Sequence, residues 1–531
     1  MTDTTSTNGQ PPARLGADRL LDDLYSGGAR ICFANPGTTE LSMVSSLARD
    51  GRIRCVLSLF EGVCTGAADG YARVSGKVPM TLLHLGPGFA NGIANLHNAR
   101  RAGSRIVNLI GDHATWHLEY DAPLTSDIHS LARPVSREVV YLDKTDTITD
   151  GVKAAFAATN REEGGAATII FPTDVVDAPA AAGGDLVEEQ AYQPSPVAEA
   201  ALDTAAERLR DAAQVIVLIG GTALSEAGVR AGSALAEALG GRLLMEPYPA
   251  IVSLGGDLPM VERQAYFPDD VIAQMGEALV VLAGARMPVS YFGYEDWPSQ
   301  LVPEERLVRL AAPGEDAVAA LEAVASRLGQ AGKDAPVVAP RQPVASPAAD
   351  ENLSPASVVE ELLVQLPEDA VISLEGSTMG GPWLKQAHRA KKHRVITNTG
   401  GAIGQGLPCA VGAAIAAPEA RVIALQSDGS AQYTLQSLWT MAREGLKVTV
   451  IIAANHRYAI LQTELKRADI PLDDPVVSKL TDLDHPRVDW VALARGYGVE
   501  ARHARTNGEM AEALREGLSL DGPLLIQAEL P

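Results

Sequence analysis

A chain of 531 residues is too long for a single hydrophobic core, and its length predicts about three domains. With 46% hydrophobic and 21% charged residues it has the composition of a soluble globular protein, and its net charge of −22 argues against nonspecific binding to nucleic acid or an anionic membrane. The four cysteines, Cys32, Cys55, Cys64 and Cys409, form no CxxC pair, and no apolar run reaches 18 residues, so no disulfide framework, zinc site or membrane span is indicated.

The opening MTDTTSTNGQPPARLG is polar and has no apolar stretch of the kind that directs export, which predicts a disordered tail over residues 1–16 and a cytoplasmic protein. Over residues 17–180 short apolar strands alternate with helices: strands at Ile31–Ala34, Arg54–Leu59, Met80–His84, Ile106–Ile110 and Thr168–Phe171, helices from Thr39, over Gly62–Val74 and over Ala90–Arg100. Residues 181–196 read as a linker. A middle unit over 197–329 has strands at Val215–Ile219, Arg242–Met245, Leu279–Ala283 and Leu307–Leu310; Gly220-Gly221-Thr222 after the first lacks a full GxGxxG, so FAD is not expected there. The Pro- and Ala-rich residues 330–354 form a second, extended linker. The third unit, 355–531, opens with a helix to about Gln365. It continues with strand Val422–Gln426, a turn at Asp428, Gly429 and Ser430, helix Tyr433–Glu444 and strand Val448–Ala453, and ends on strand Pro523–Ala528. The fold class is α/β, with three doubly wound parallel sheets.

Ligands of open parallel sheets lie beyond the carboxyl ends of the strands, so Asp428 and Asn455, 27 positions apart, share one rim. A carboxylate, an amide oxygen and a backbone carbonyl are hard ligands suited to Mg²⁺. The same residues also fit an ordinary turn whose Asp caps a helix. Glu61 directly follows a strand amid apolar neighbours; it is either a poorly solvated acid–base group or a helix-starting glutamate. Asn35-Pro36-Gly37-Thr38-Thr39-Glu40 is a turn in which Thr39 could cap a helix. His84 ends a strand before Gly86-Pro87-Gly88. His113 and His117, four apart in the loop after Ile110, have no obvious third metal ligand. Leu374-Glu375-Gly376-Ser377-Thr378 follows a buried strand and can offer hydroxyls and N–H groups to a diphosphate.

Several of these segments resemble the thiamine diphosphate enzymes. Ser427-Asp428-Gly429-Ser430 with Ala454-Asn455 is similar to their Gly-Asp-Gly-Ser and Asn-Asn signature, with the first Gly and first Asn replaced. Glu61-Gly62 followed by Ala67-Ala68-Asp69-Gly70-Tyr71-Ala72-Arg73 resembles their catalytic glutamate segment. Asn35-Pro36-Gly37-Thr38 resembles a loop of benzoylformate decarboxylase, and Gly86-Pro87-Gly88 looks like acetolactate synthase. The chain is thus similar to the 2-oxo acid decarboxylases and synthases of that family, whose three units are the pyrimidine-binding, middle and diphosphate-binding domains.

The resemblance implies that Asp428, the Asn455 side chain and the Arg457 carbonyl hold Mg²⁺, and that Glu375, Ser377, Thr378, Gly429 and Ser430 face the cofactor. The Gly401 carbonyl would accept from its 4′-amino group, and Ile403 would be the apolar wedge that bends it. Glu61 would bond the aminopyrimidine ring, Thr38 would face the substrate carboxylate, and His84 would exchange protons with bound species. His113 would join the site by analogy with pyruvate-type decarboxylases. The implied reaction is decarboxylation of a 2-oxo acid, followed by carboligation or aldehyde release. Asp121-Ala122-Pro123-Leu124 departs from the Asp-Ala-Phe-Gln of the synthases, which counts against acetolactate formation. The alternatives are a 2-hydroxyacyl-CoA lyase acting on aldehyde and acyl-CoA, and a catalytically inactive regulatory paralogue, suggested by Ser427 and Ala454 and opposed by the intact Glu61, Asp428 and Asn455. A homodimer is implied as the minimum unit, with Glu61 of one protomer facing the clamp of the other, and a homotetramer as the assembly.

Overall fold

The computed structural model describes residues 14–180, 185–330 and 344–531. The first sheet has six parallel strands: β1 Ile31–Asn35, β2 Arg54–Leu57, β3 Met80–Leu83, β4 Ile106–Asp112, β5 Glu138–Tyr141 and β6 Ala166–Pro172, in the order β2-β1-β3-β4-β6-β5. Next come β7 Val215–Ile219, β8 Arg242–Met245, β9 Ile251–Leu254, β10 Glu262–Arg263, β11 Leu279–Ala283 and β12 Leu307–Ala311. All but β9 form the second sheet, β10-β8-β7-β11-β12. The third sheet contains β13 Ala370–Glu375, β14 His393–Thr397, β15 Val422–Ser427, β16 Val448–Ala454, β17 Glu500–Ala504 and β18 Leu524–Glu529, in the order β17-β18-β16-β15-β13-β14-β9.

The three-sheet α/β architecture expected from the alternation of strands and helices is present. Among the described strands the one antiparallel element is β9, which leaves the middle stretch of chain to pair with β14, Val252 opposite Val395. This strand closes the outer edge of the third sheet, an edge that would otherwise expose a row of backbone donors and acceptors.

Three local expectations are corrected. The tail was expected to run to residue 16, but Leu15 bridges Pro179 and a helix begins at Gly16; residues 1–13 lie outside the described residues. The helix expected from Ala90 begins at Leu85, so Gly86, Pro87 and Gly88 form its first turn instead of a separate turn. Proline is tolerated there because a first-turn N–H has no helical partner to lose. The helix expected over Tyr433–Glu444 begins only at Gln436, and the turn expected at Asp428, Gly429 and Ser430 is a separate four-residue turn of helix, Asp428–Ala431.

The first and third sheets share one hydrophobic cluster, in which Phe33, Val56 and Leu83 are continuous with Val371, Val450 and Trp490. Helix Glu61–Ser75 lies against helix Gly406–Ala416, and the contact works because both are made of small residues. A Cβ on Gly66 would meet Pro408 Cβ at 2.5 Å, one on Gly70 would overlap the Cys409 backbone, and one on Gly412 would overlap the Ala67 carbonyl. Burial of this kind, about 25 cal/mol per Å² of apolar surface, fixes the Glu61 helix relative to the third sheet. The described residues contain no helix long and apolar enough to cross a membrane, and all four cysteines are free.

Candidate functional site

Glu61 is the first residue of its helix and is 8% exposed. Asn35 Nδ2, at the end of β1, donates to its Oε1 at 3.0 Å, and Asn91 Nδ2, from helix Leu85–Ala102, donates to Oε2 at 3.0 Å. The carboxylate is therefore held from two sides by neutral amides. Gly88 makes room for it, since a Cβ there would come within 3.1 Å of Glu61 Oε1.

Beside it, the fully buried Glu40 gathers the Asn35–Glu40 turn. Its Oε2 accepts from the Gly37 N–H at 2.7 Å and lies 2.8 Å from His84 Nδ1, while its Oε1 accepts from the Thr39 hydroxyl at 2.7 Å. Thr39 thus bonds Glu40 and approaches His84 at 3.2 Å instead of capping a helix. A carboxylate on Nδ1 fixes the ring, so Nε2 is the nitrogen left to work. Thr38 is exposed on the same turn. His113 Nε2 lies 3.2 Å from the Pro123 carbonyl, with its ring 5.6 Å from that of His117. Among the described residues no three His, Cys, Asp or Glu side chains form a metal-binding group, so the pair gains no third ligand.

The third sheet brings Asp428 and Asn455 together. Register pairs Ser427 with Ala453, so the next residues of β15 and β16 leave side by side. Asp428 Oδ1 accepts from the Gly429 N–H at 2.8 Å and Oδ2 from the His456 N–H at 2.7 Å. Burial pushes the Asp428 carboxyl up, and those amides oppose the shift. His456, at φ +53°, makes the turn that returns the chain to Asp428, and its ring is anchored 2.9 Å from Glu529 Oε1. Asn455 Nδ2 donates to Thr378 Oγ1 at 3.1 Å, tying the rim to the N-terminus of helix Ser377–Gln386. A buried carboxylate, an amide oxygen and the nearby Arg457 carbonyl fit a hard divalent cation. The exposed Ser377 and half-buried Thr378 start a ten-residue helix suited to phosphate.

Two expected cofactor contacts have side chains turned inward. Glu375 is 3% exposed, and its carboxylate accepts from the Gly404 and Gly406 N–H groups, each at 2.7 Å, from Gln426 Nε2 at 2.9 Å and from Asn398 Nδ2 at 3.3 Å. Burial raises its pKa, and these donors oppose the shift. The Ser430 hydroxyl accepts from Gln426 Nε2 at 2.6 Å and donates to the Ser427 carbonyl at 3.1 Å. Gly429 is buried against Tyr458, whose ring a Cβ would meet at 2.5 Å.

In the glycine-rich loop the carbonyls on either side of Gly401 are spoken for, and so is that of Gly404. His97 lies 3.0 Å from that of Gly400; Asn98 and Asn398 donate to that of Ala402 at 2.7 and 2.8 Å; Asn95 and Thr434 donate to that of Gly404 at 3.3 and 3.0 Å. No donor among the described residues reaches the Gly401 carbonyl. Ile403 projects from the loop, 37% exposed. Asn95 also donates to the Gly62 carbonyl at 2.8 Å, so one side chain joins the Glu61 helix to this loop.

Sequence reading did not assign roles to Glu40, Asn91, Asn95, Asn98 or His456. Each acts on a partner far away in sequence or on its own backbone turn, and only Glu40, inside the Asn-Pro-Gly turn, carried a local signal. At the carboxyl edge of the second sheet lies a cavity of about 1070 Å³, bounded by Gly221, Thr222, Glu246, Arg286 and Tyr291 and reaching Gly400.

Residues 14–132 match the family described as thiamine pyrophosphate enzyme, N-terminal TPP binding domain, and residues 378–528 match its C-terminal TPP binding domain. A Mycobacterium tuberculosis protein named "Putative acetolactate synthase large subunit IlvX" is 43% identical over 97% of this chain and 99% of its own. Benzoylformate decarboxylase of Pseudomonas aeruginosa is 29% identical over 94% of this chain and 96% of its own. The solved structure of a Rhodococcus jostii thiamine diphosphate-dependent 4-hydroxybenzoylformate decarboxylase shares the fold, with a TM-score of 0.81 at 23% identity over 97% of this chain and 99% of that one.

Proposed function

The chain belongs to the thiamine pyrophosphate enzymes, and from that premise we propose that it decarboxylates a 2-oxo acid with thiamine diphosphate and Mg²⁺. It is an enzyme of the acetolactate synthase and benzoylformate decarboxylase type. The observation that carries the proposal is the loop in which neighbouring carbonyls are satisfied and that of Gly401 is left to accept a donor from outside the chain.

Asp428, the Asn455 amide oxygen and the Arg457 carbonyl would hold Mg²⁺, with Thr378 and the N-terminus of its helix facing the diphosphate. Bound there, the cofactor supplies an electron sink for the carbon–carbon bond next to the substrate carbonyl. Glu61, oriented by Asn35 and Asn91, would exchange a proton with the aminopyrimidine ring. Thr38 would bind the substrate carboxylate, and His84, braced by Glu40, would deliver a proton to the product carbon. That braced histidine favours aldehyde release. The 43% identity to a protein named as an acetolactate synthase subunit favours a second reading, carboligation to another carbonyl compound.

A homodimer would pair Glu61 of one protomer with the clamp of its partner. Exposed apolar groups support such a face: Leu59 at 46%, Trp116 at 67% and Tyr120 at 68% on the first unit, Tyr433 at 53% and Leu480 at 68% on the third.

The test is a screen of 2-oxo acids and of a 2-hydroxyacyl-CoA with thiamine diphosphate and Mg²⁺, following CO₂, aldehyde and carboligation products. CO₂ with aldehyde supports the proposal, and CO₂ with a ligated product selects the second reading. Cleavage of 2-hydroxyacyl-CoA alone, or no turnover of any substrate, overturns both. Asp428→Ala is expected to abolish Mg²⁺-dependent cofactor binding; unchanged affinity would remove the clamp.

A further inference from the structure

The middle unit reaches the third-unit rim through the segment between β11 and β12. Tyr291 places its hydroxyl against Gly401, where an added Cβ would overlap it and would lie 3.2 Å from the ring carbon that bears it. Gly401 itself sits at φ +79°, a conformation that side chains rarely adopt. Three residues on, the Tyr294 hydroxyl donates to Glu464 Oε1 at 3.2 Å. Glu464 belongs to helix Ala459–Arg467, which begins just past Asn455 and Arg457. Phe292 links the two tyrosines, 4.9 Å from the Tyr291 ring and 6.4 Å from the Tyr294 ring. Tyr291 in turn rests on Tyr266 at 5.2 Å. One short stretch of the middle unit thus touches both the loop that carries Gly401 and the helix that follows the metal clamp.

We propose that Tyr291 is a positioning residue, whose hydroxyl presses on Gly401 and holds its carbonyl toward the amino group of the cofactor. The proposal rests on the role given above to that carbonyl. Its logic is mechanical. The Gly401 N–H is fixed by Asn398 Oδ1 at 2.8 Å and the Ala402 N–H by Asn98 Oδ1 at 3.1 Å, so both flanking amides are anchored. The α-carbon between them has no side chain of its own with which to pack, and Tyr291 covers it from the open side. A phenol is neutral near pH 7, and the half-burial of this one raises its pKa further, so the group in contact is the O–H. A residue of the middle unit then tunes a cofactor held by the third, and a change in the cavity that Tyr291 borders would reach the reaction centre through one ring.

The experiment compares full-length wild type, Tyr291→Phe and Tyr291→Ala, each loaded with thiamine diphosphate and Mg²⁺. Three quantities are read: cofactor affinity, the near-ultraviolet circular dichroism of the bound aminopyrimidine, and the rate of deuterium exchange at the thiazolium C2. Tyr291→Ala is expected to slow exchange at least tenfold and alter the dichroism while affinity changes less than threefold. Tyr291→Phe, which keeps the ring, is expected to recover part of the rate and carries the test alone if the alanine variant does not fold. Exchange and dichroism equal to wild type in the variants would overturn the proposal, as would an affinity loss as large as the rate loss, which marks a merely structural role. Failure of wild type to accelerate exchange over free cofactor would instead overturn the parent reading of Gly401.

Discussion

Glu246 stands at the end of β8 on the wall of the middle-unit cavity, and no hydrogen bond to its carboxylate from any described residue offsets its burial. Burial pushes it up to about 7 from an ordinary 4.5, against the pull of Arg286 and Arg101. Its folded pKa is raised, so between about pH 4.5 and 7 the folded chain keeps a proton that the unfolded chain has lost. Stability therefore falls as pH rises through that window and stays reduced above it. A gap of about 2.5 units at 1.36 kcal/mol each sets a ceiling near 3.4 kcal/mol. The side chain is partly open to a cavity that admits water, so about 1–2 kcal/mol is the realistic share. Glu246→Gln keeps the shape and removes the charge. It should gain that amount at pH 8 and less than half of it at pH 5.5, where only the lower part of the window has been crossed. For a unit of this size, thermal midpoints should rise by roughly 2–8 °C at pH 8. An equal shift at both pH values, or none at pH 8, would refute the reasoning.

Asn91→Ala removes one of the two amides that orient Glu61. A hydrogen bond to a charged group is worth about 1.5–3 kcal/mol, so kcat should drop by roughly 10- to 100-fold with cofactor affinity unchanged in a binding titration. Glu40→Gln keeps the size of the side chain but takes the charge from His84 Nδ1 and one of the two acceptors that Gly37 and Thr39 use, and kcat/KM should fall at least tenfold; an unchanged value would detach His84 from the chemistry.

What could be read along the chain was whatever depends on a strand and the residue after it. Val215–Ile219, Arg242–Met245 and Leu279–Ala283 appear with the expected bounds because short apolar runs between turn residues leave little choice. Asp428 and Asn455 were legible for the same reason, since position at a strand exit decides the rim on which a side chain sits. Direction within the rim was not. Glu375 and Ser430 occupy rim positions, but their side chains bond the loop and strand beneath them, a choice made by tertiary donors such as Gly404, Gly406 and Gln426. β9 escaped notice because Ile-Val-Ser-Leu is apolar and short, and its antiparallel partner lies some 140 positions away. Tyr291 gave no signal, since an exposed tyrosine in an irregular segment looks like any other surface ring.

The inward turn of Glu375 has a consequence for how such a site stays rigid. Glycines give the loop between β14 and helix Gly406–Ala416 its shape, yet glycine also gives it the most freedom to lose it. A buried carboxylate is costly unless its oxygens are fully engaged, and here four donors engage them, among them the Gly404 N–H and the Asn398 amide from the loop itself and the Gly406 N–H from the helix start that closes it. The loop cannot relax without leaving that charge unpaired in the core, so local flexibility is traded against a penalty of several kcal/mol. Glu375 therefore bears on the proposed cofactor site at one remove, by engaging its own oxygens in the loop conformation that exposes the Gly401 carbonyl.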